Sequence, residues 1–139
     1  MAAHPVRKLT SVLVVERIEP VIAFWHKLDI EPAVQVPADE GHLAFAIFAA
    51  DGVELMYQTA ASVRKDLVAS ASDAKAFRPD PQQATLYVEV KKIADIERRL
   101  AGERLVMPRR KTFYGATETA YTDPAGNIVV FAERDAAGS

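Results

Sequence analysis

The two halves of this chain repeat the same order of predicted secondary structure. Each half begins with a short apolar strand, at Ser11–Val15 and Ala84–Val90, and continues with an amphipathic helix near residues 20–28 and 93–100. Three further strand-like runs follow each helix, and they end with residues 52–57 in the first half and 126–131 in the second. A βαβββ unit used twice predicts a pseudo-symmetric structure with a groove between its halves. We expect any ligand to use that groove.

Side-chain periodicity places the elements within each half. Pro20 suits a first helical turn, and Val21, Phe24, Trp25 and Leu28 follow it at helical spacing. The other predicted strands are Ala33–Val36, Leu43–Phe48, Val53–Gln58, Arg104–Pro108, Ala116–Thr122 and Asn127–Ala132. The chain is therefore predicted to be one domain with a first module at about 9–58, a linker at about 59–82 and a second module at about 83–133. A short helix is expected in the linker near Val63–Ala69.

Composition excludes several classes of function. The chain has 139 residues, of which 50% are hydrophobic and 26% charged, as in an ordinary globular domain. A net charge of −2 gives no reason to expect a nucleic-acid partner, and the short basic stretch 108–111 is interpreted as a solvated loop. The absence of cysteine excludes disulfides. Because no apolar run reaches about 18–20 residues and the N-terminus lacks a secretory signal, we expect a cytoplasmic protein without a membrane partner.

Several short motifs together resemble a known superfamily. They are Tyr114-Gly115, Glu118, the run Thr122-Asp123-Pro124-Ala125-Gly126-Asn127, and Phe131-Ala132-Glu133. An early Ala23-Phe24-Trp25 with Leu28 is similar to the helix motif of a first module. Over about residues 9–133 the chain resembles the vicinal oxygen chelate superfamily, which includes glyoxalase I, bleomycin-resistance proteins and extradiol dioxygenases.

The resemblance implies an α+β fold. Tandem βαβββ modules would form a curled, incomplete eight-stranded barrel with the helices outside, and the two half-barrels would face each other across a cavity. Many members are homodimers, so a homodimer is expected here.

The resemblance also implies four positions where metal-dependent members place ligands to a divalent ion. In this sequence these positions fall on Thr10, Glu54, Gln83 and Val130. Glu54 and Gln83 are acceptable ligand types, whereas a valine offers no donor atom and a threonine hydroxyl is a poor substitute for imidazole. One carboxylate and one amide would hold an ion too weakly for a specific site. We therefore expect no cofactor, and a divalent metal stays open as the alternative.

Strand alternation turns the same positions into a predicted ligand cavity. Thr10, Met56, Gln83, Tyr87 and Val130 are expected to line it, with Phe45, Phe113, Tyr114 and Tyr121 near its rim, where aromatic rings can stack on a planar ligand. The opposite faces of the strands are expected to pack under the helices. If Glu54 is buried, burial would raise its pKa and suit it to act as a general base.

Three functions remain open on this basis. The first is a metal-free binding protein of the bleomycin-resistance type that sequesters a small apolar or planar compound in the cavity. The second is a lyase, isomerase or dioxygenase-like enzyme of the same superfamily that uses Glu54 as base or a divalent metal. The third is a non-catalytic scaffold whose cavity is filled by its own side chains.

Overall fold

The repeated order of elements is confirmed in the structure, a computed structural model that describes residues 4–38 and 41–136. The first half contains the strands β1 Ser11–Val15, β2 Val34–Pro37, β3 Leu43–Ala50 and β4 Val53–Thr59, with the helix α1 Glu19–His26 after β1. The second half contains β5 Thr85–Glu89, β6 Leu105–Lys111, β7 Ala116–Thr122 and β8 Ile128–Arg134, with the helix α3 Ile93–Arg99 after β5. The fold is α+β with two βαβββ repeats, as the sequence predicts.

The two four-stranded sheets have the same topology. Their strand orders are β1-β4-β3-β2 and β5-β8-β7-β6. In each sheet the first and last strands of the repeat pair in parallel, and the other neighbours are antiparallel. Each sheet is open, because its edge strands pair on one side only.

The contacts group the chain into two compact units. Of the described residues, those up to Ile18 and those within Pro32–Pro81 form one unit, and Glu19–Glu31 with those from Gln82 onward form the other. Helix α1 therefore precedes β2 in sequence but groups with the second sheet. Arg99 at the end of α3 forms an ion pair with Asp29 at 2.7 Å and donates to the carbonyl of Lys27 at 3.3 Å, which joins the ends of these two helices.

Local sequence explains the ends of the helices. Helix α1 stops where Asp29 adopts a left-handed conformation with φ of 59°, and the N–H of Ile30 returns to the carbonyl of Trp25. At the start of α3, the side chain of Glu133 accepts the N–H of Ile93 at 2.8 Å, so a carboxylate lies at the positive end of this helix.

The segment between the repeats is more regular than the sequence suggests. A one-turn helix α2, Ala60–Val63, is capped by the Thr59 hydroxyl and continues into a π-helical turn, Arg64–Val68. A 3₁₀ turn follows at Ala74–Ala76. None of the helices in the described part of the chain is long and apolar enough to cross a membrane.

The basic stretch 108–111 corrects one expectation. It is not a loop, because it forms the second half of the edge strand β6. Pro108 is tolerated there because β6 pairs only with β7, and the register shifts between Met107 and Arg110. The strand consequently carries Arg110 opposite Glu118 of β7.

Candidate functional site

One face of the second sheet is partly open to solvent and carries polar and aromatic side chains. Tyr87 of β5 lies opposite Val130 of β8, and Val130 in turn lies opposite Ala120 of β7. Glu118 lies two residues before Ala120 and therefore shares this face. Tyr87 is 48% exposed and Val130 is half-buried. The other face of the sheet is the core, with Val129 and Phe131 fully buried.

Glu118 is the centre of this open face. Its side chain is only 1% exposed, yet four donor groups reach its two carboxylate oxygens. Oε2 accepts the hydroxyl of Tyr87 at 2.6 Å and also the hydroxyl of Tyr114. Oε1 accepts Nη2 of Arg110 at 2.8 Å and Nε of the same guanidinium at 3.2 Å. A buried carboxylate requires such partners, since burial of an unpaired charge is strongly unfavourable.

These contacts determine which atoms carry protons. Burial raises the pKa of the Glu118 carboxyl, but hydrogen bonds from Tyr114, Tyr87 and Arg110 outweigh burial and hold the pKa below its ordinary value. The hydrogen bond to Glu118 is also the main reason that the pKa of Tyr87 is raised to about 12. At neutral pH Glu118 is therefore an anion. The Tyr87 hydroxyl stays protonated and donates a hydrogen bond to Glu118.

The hairpin loop 112–115 presents two aromatic rings at the end of this face. The Thr112 hydroxyl accepts the N–H of Ala116 at 3.0 Å, and Gly115 adopts a φ of 83° that allows the chain to turn back into β7. Phe113 is completely exposed, and its ring meets the ring of Tyr114 edge to face at 5.1 Å. The hydroxyl of Tyr114 is fixed by Glu118, so the loop holds one anchored and one free ring.

The aromatic face consists of Tyr87, Phe113, Tyr114 and Val130, with Glu118 behind it. The sequence predicts that the first four contact a ligand. It indicates Glu118 only as part of the superfamily motif, and Arg110 only as part of a basic loop. The arrangement provides exposed aromatic surface whose phenol groups are held by a buried anion. Rings fixed in this way can bind a planar molecule with little loss of their own conformational freedom.

Tyr121 does not join the aromatic face. It is 6% exposed, pairs with Val129 in the register and packs against Phe131 at a ring distance of 6.2 Å. The sequence placed this ring near a rim, whereas the structure places it in the core on the opposite side of the sheet.

The Asp-Pro-x-Gly-Asn motif forms the β7–β8 turn. The buried carboxylate of Asp123 accepts the backbone N–H groups of Ala125 and Asn127, each at 2.9 Å. The Asn127 side chain accepts the N–H of Ala84 at 2.8 Å, and the Gln83 amide donates to the carbonyl of Gly126 at 3.1 Å. Burial raises the pKa of Asp123 against the opposing effect of its hydrogen bonds. This motif therefore fixes the start of β5 to the turn.

The remaining predicted site residues lie in the first sheet. Oε1 of Glu54 accepts the Thr10 hydroxyl at 2.7 Å and pairs with the ammonium of Lys8 at 3.0 Å. Met56 and Phe45 lie on the same face of this sheet as Glu54, because Phe45 pairs with Gln58 and side chains alternate along β4. The side chain of Glu54 is 35% exposed, so the deep burial that would favour a general base is not present. Its catalytic role stays a prediction.

The four positions that correspond to metal ligands in the superfamily do not fit a metal centre. Val130 has no donor atom, and Gln83 directs its amide nitrogen to a backbone carbonyl. Across residues 4–38 and 41–136, no three His, Asp or Glu side chains form a group that could hold an ion. We derive no metal-dependent step from this donor set.

A cavity of about 410 Å³ lies elsewhere in the first unit. It is bordered by the end of β2, the start of β3 and helix α2, with Pro37, His42, Leu43 and Ser62 among its lining residues. None of the predicted ligand-binding residues lines it.

Comparison with known proteins identifies the fold. A scan against protein-family models gives no match, and neither does a comparison with curated proteins. Among solved structures, a glyoxalase/bleomycin resistance protein/dioxygenase from Nocardioides is similar with a TM-score of 0.67 and 21% identity, covering 100% of this chain and 89% of that one. A glyoxalase-related enzyme from Fulvimarina pelagi gives a TM-score of 0.69 and 16% identity, with 93% of this chain and 89% of that one covered.

A lactoylglutathione lyase from Agrobacterium tumefaciens is similar over 94% of this chain and 95% of its own, with a TM-score of 0.60 and 17% identity. The chain therefore has the fold of the glyoxalase/bleomycin resistance/dioxygenase proteins. The resemblance to the vicinal oxygen chelate superfamily is confirmed at the level of the fold.

Proposed function

We propose that this protein binds a small planar organic molecule on its aromatic face, without a metal ion and without chemically transforming it. This is the behaviour of a binding protein of the glyoxalase/bleomycin-resistance type. The observation that supports it is the pair of exposed tyrosine rings whose hydroxyls are held by the buried carboxylate of Glu118, with the exposed ring of Phe113 beside Tyr114.

The exposure of the rings favours a binding role. Phe113 is 100% exposed, and Tyr87 and Tyr114 are 48% and 43% exposed. Aromatic surface left in water is a source of binding free energy, because a ligand that covers it removes apolar area from solvent. The half-buried Val130 of β8 lies opposite Tyr87 and adds apolar surface beside it. Such a mixture of apolar surface and a few oriented polar groups is typical of small-molecule sites.

The protonation states favour binding over turnover. A general base must have a free lone pair within reach of the proton that it removes. Glu118 already accepts four hydrogen bonds, which occupy both carboxylate oxygens, and its pKa lies below the ordinary value. It is therefore a weak base with its lone pairs in use, and its effect is to position the tyrosines.

Nuclear magnetic resonance can test this proposal directly. The ¹⁵N-labelled protein is titrated with naphthalene-2-carboxamide, a planar probe that carries both hydrogen-bond donors and an acceptor. We expect saturable shifts for backbone amides of loop 112–115 and of β5, with a dissociation constant on the order of 1 mM, as for other fragment-sized ligands.

Two matched variants locate the site. Phe113→Ala removes the exposed ring of the aromatic face and is expected to weaken binding several-fold. Phe77→Ala removes a ring that is 39% exposed in the first unit and is expected to leave binding unchanged. Absence of saturable shifts, or equal losses in the two variants, would contradict the proposal.

The expected homodimer is a separate proposal that rests on the superfamily resemblance. Light scattering coupled to size-exclusion chromatography should give about twice the mass of one chain. A mass equal to one chain across a concentration series would show that the binding unit is the monomer.

A further inference from the structure

The hydrogen bonds to Glu118 determine whether the hydroxyls of the two tyrosines can donate or accept a hydrogen bond from a ligand. A carboxylate accepts about four hydrogen bonds, and Glu118 receives four, two on each oxygen. A phenol has one proton and accepts through its oxygen. Because the hydroxyl protons of Tyr87 and Tyr114 form hydrogen bonds to Glu118, each hydroxyl oxygen can act toward a ligand only as an acceptor.

The guanidinium of Arg110 makes the two phenols unequal. The hydrogen bond to Glu118 is the main reason that the pKa of Arg110 is raised, and a smaller contribution comes from the hydroxyl of Tyr114 beside it. The acceptor capacity of the Tyr114 oxygen is therefore shared with Arg110. The Tyr87 oxygen is the stronger candidate to accept a hydrogen bond from a ligand.

The local charge favours a neutral ligand. Arg110 balances Glu118 at 2.8 Å, and Arg134 balances Glu89 at 2.9 Å on the neighbouring strands. These two cations and two anions are paired, so their charges balance near Tyr87 and favour neither a cation nor an anion there. Selection must then depend on ring stacking and on the direction of single hydrogen bonds.

Resting on the proposed function, we infer that Glu118 makes this site selective for neutral planar molecules that carry an N–H or O–H donor, and disfavours planar molecules that carry only acceptors. An acceptor placed against the Tyr87 oxygen would meet another lone pair. A donor placed there would form a hydrogen bond to Tyr87, which in turn donates a hydrogen bond to Glu118. Glu118 is thus a positioning residue that determines specificity without touching the ligand.

Replacing Glu118 by glutamine should reverse this selectivity. In Glu118→Gln the amide oxygen is retained by Arg110, whose N–H groups require an acceptor. The amide nitrogen then lies toward the phenols and donates to their oxygens. Their protons become free to rotate outward, so the phenols would present donors to a ligand.

The experiment compares two rings of equal size, indole, which has an N–H donor, and benzoxazole, which has only acceptors. Affinities are measured by NMR titration of the full chain at pH 7. For the wild type we expect indole to bind about three- to tenfold more tightly than benzoxazole, the range of one hydrogen bond. For Glu118→Gln we expect the ratio to fall to one or to invert. Tyr87→Phe removes the acceptor and should abolish the preference for indole. This variant tests the inference independently of whether Glu118→Gln folds.

Tyr121→Phe is the matched control, since it removes a phenol from the buried face and should keep the wild-type ratio. Equal affinities of the two rings for the wild type would overturn the inference while leaving the proposed binding function intact. An unchanged indole preference in Tyr87→Phe would also overturn it. If neither these rings nor naphthalene-2-carboxamide bound at millimolar concentration, both the inference and the proposed function would be wrong.

Discussion

The protonation of Tyr87 provides a sensitive test of the Glu118 cluster. The pKa of Tyr87 is raised to about 12, mainly because its hydroxyl donates to Glu118 at 2.6 Å, with further contributions from burial and the negative charge. The ordinary tyrosine pKa is about 10. A difference of about two units corresponds to about 2.7 kcal/mol without screening. Because Tyr87 is 48% exposed, solvent reduces this coupling, and we expect about 1 kcal/mol at neutral pH.

The sign of the effect on stability follows from the direction of the shift. The folded-state pKa of Tyr87 lies above its unfolded value, so its contribution is fully present below pH about 10. The contribution is lost as the pH rises through about 12. Tyr87→Phe should therefore lower the free energy of unfolding at pH 7, and the deficit relative to the wild type should shrink above pH 10.

Residue-resolved ¹³Cζ spectra of labelled tyrosines measure this titration while circular dichroism verifies that the chain is folded. In Glu118→Gln the pKa of Tyr87 should fall toward 10, because the charged acceptor is gone. Burial is the main cause of the raised pKa of Tyr121, so its titration should not change in this variant and provides the internal control. A wild-type Tyr87 that is half ionised below pH about 10.5, or one that does not respond to Glu118→Gln, would refute the reasoning.

Three further predictions concern stability. Asp123→Ala leaves two backbone N–H groups of the β7–β8 turn without their acceptor and should lower the free energy of unfolding in urea by about 2–4 kcal/mol, whereas Asp51→Ala in the exposed β3–β4 turn should have no measurable effect. Burial raises the pKa of Asp123, so the wild type should lose stability relative to Asp123→Asn as the pH rises through the folded-state pKa; a constant difference between pH 3 and 8 would exclude this. Glu133→Ala removes the acceptor of the Ile93 N–H and should cost about 1 kcal/mol, seen as faster hydrogen exchange at the start of α3.

Periodicity was sufficient to predict the strands and the repeat. Ser11–Val15 is predicted and found with the same bounds, and the prediction for the third strand of the second module, Ala116–Thr122, also matches. Errors occur where tertiary context overrides the local signal. The predicted strand at Arg104–Pro108 stops at the proline, but pairing with β7 extends β6 to Lys111, because an edge strand tolerates proline on its unpaired side.

The Glu118 cluster was not predictable as a unit. Its members come from β5, β6, β7 and the loop 112–115, so only the sheet register brings them together. One local signal was present. Ala116, Glu118 and Ala120 alternate along β7, and a single acid between two small residues on one face indicates a buried charge that needs partners. The identity of those partners depends on the pairing of strands and on the hairpin loop, and one partner, Tyr87, lies 31 residues away along the chain.

The two repeats build the same strands with different side chains at equivalent positions. The hairpins β3–β4 and β7–β8 each turn through a glycine with positive φ, at Gly52 and Gly126, so their strands can be aligned residue by residue. In this alignment Met56 corresponds to Val130 and Gln58 to Ala132. The register then identifies the partners of each residue in its own sheet.

By this register the Glu118 cluster has an apolar counterpart in the first repeat. Glu118 pairs with Ala132, and the residue that pairs with Gln58 is Phe45. Likewise Tyr87 corresponds to Val12, and Arg110 corresponds to Val36. The first repeat therefore builds the same four strands with Val12, Val36 and Phe45 at these positions. In the described residues of the first repeat the βαβββ frame forms without such a polar cluster, so the frame itself does not require a buried anion with three side-chain partners.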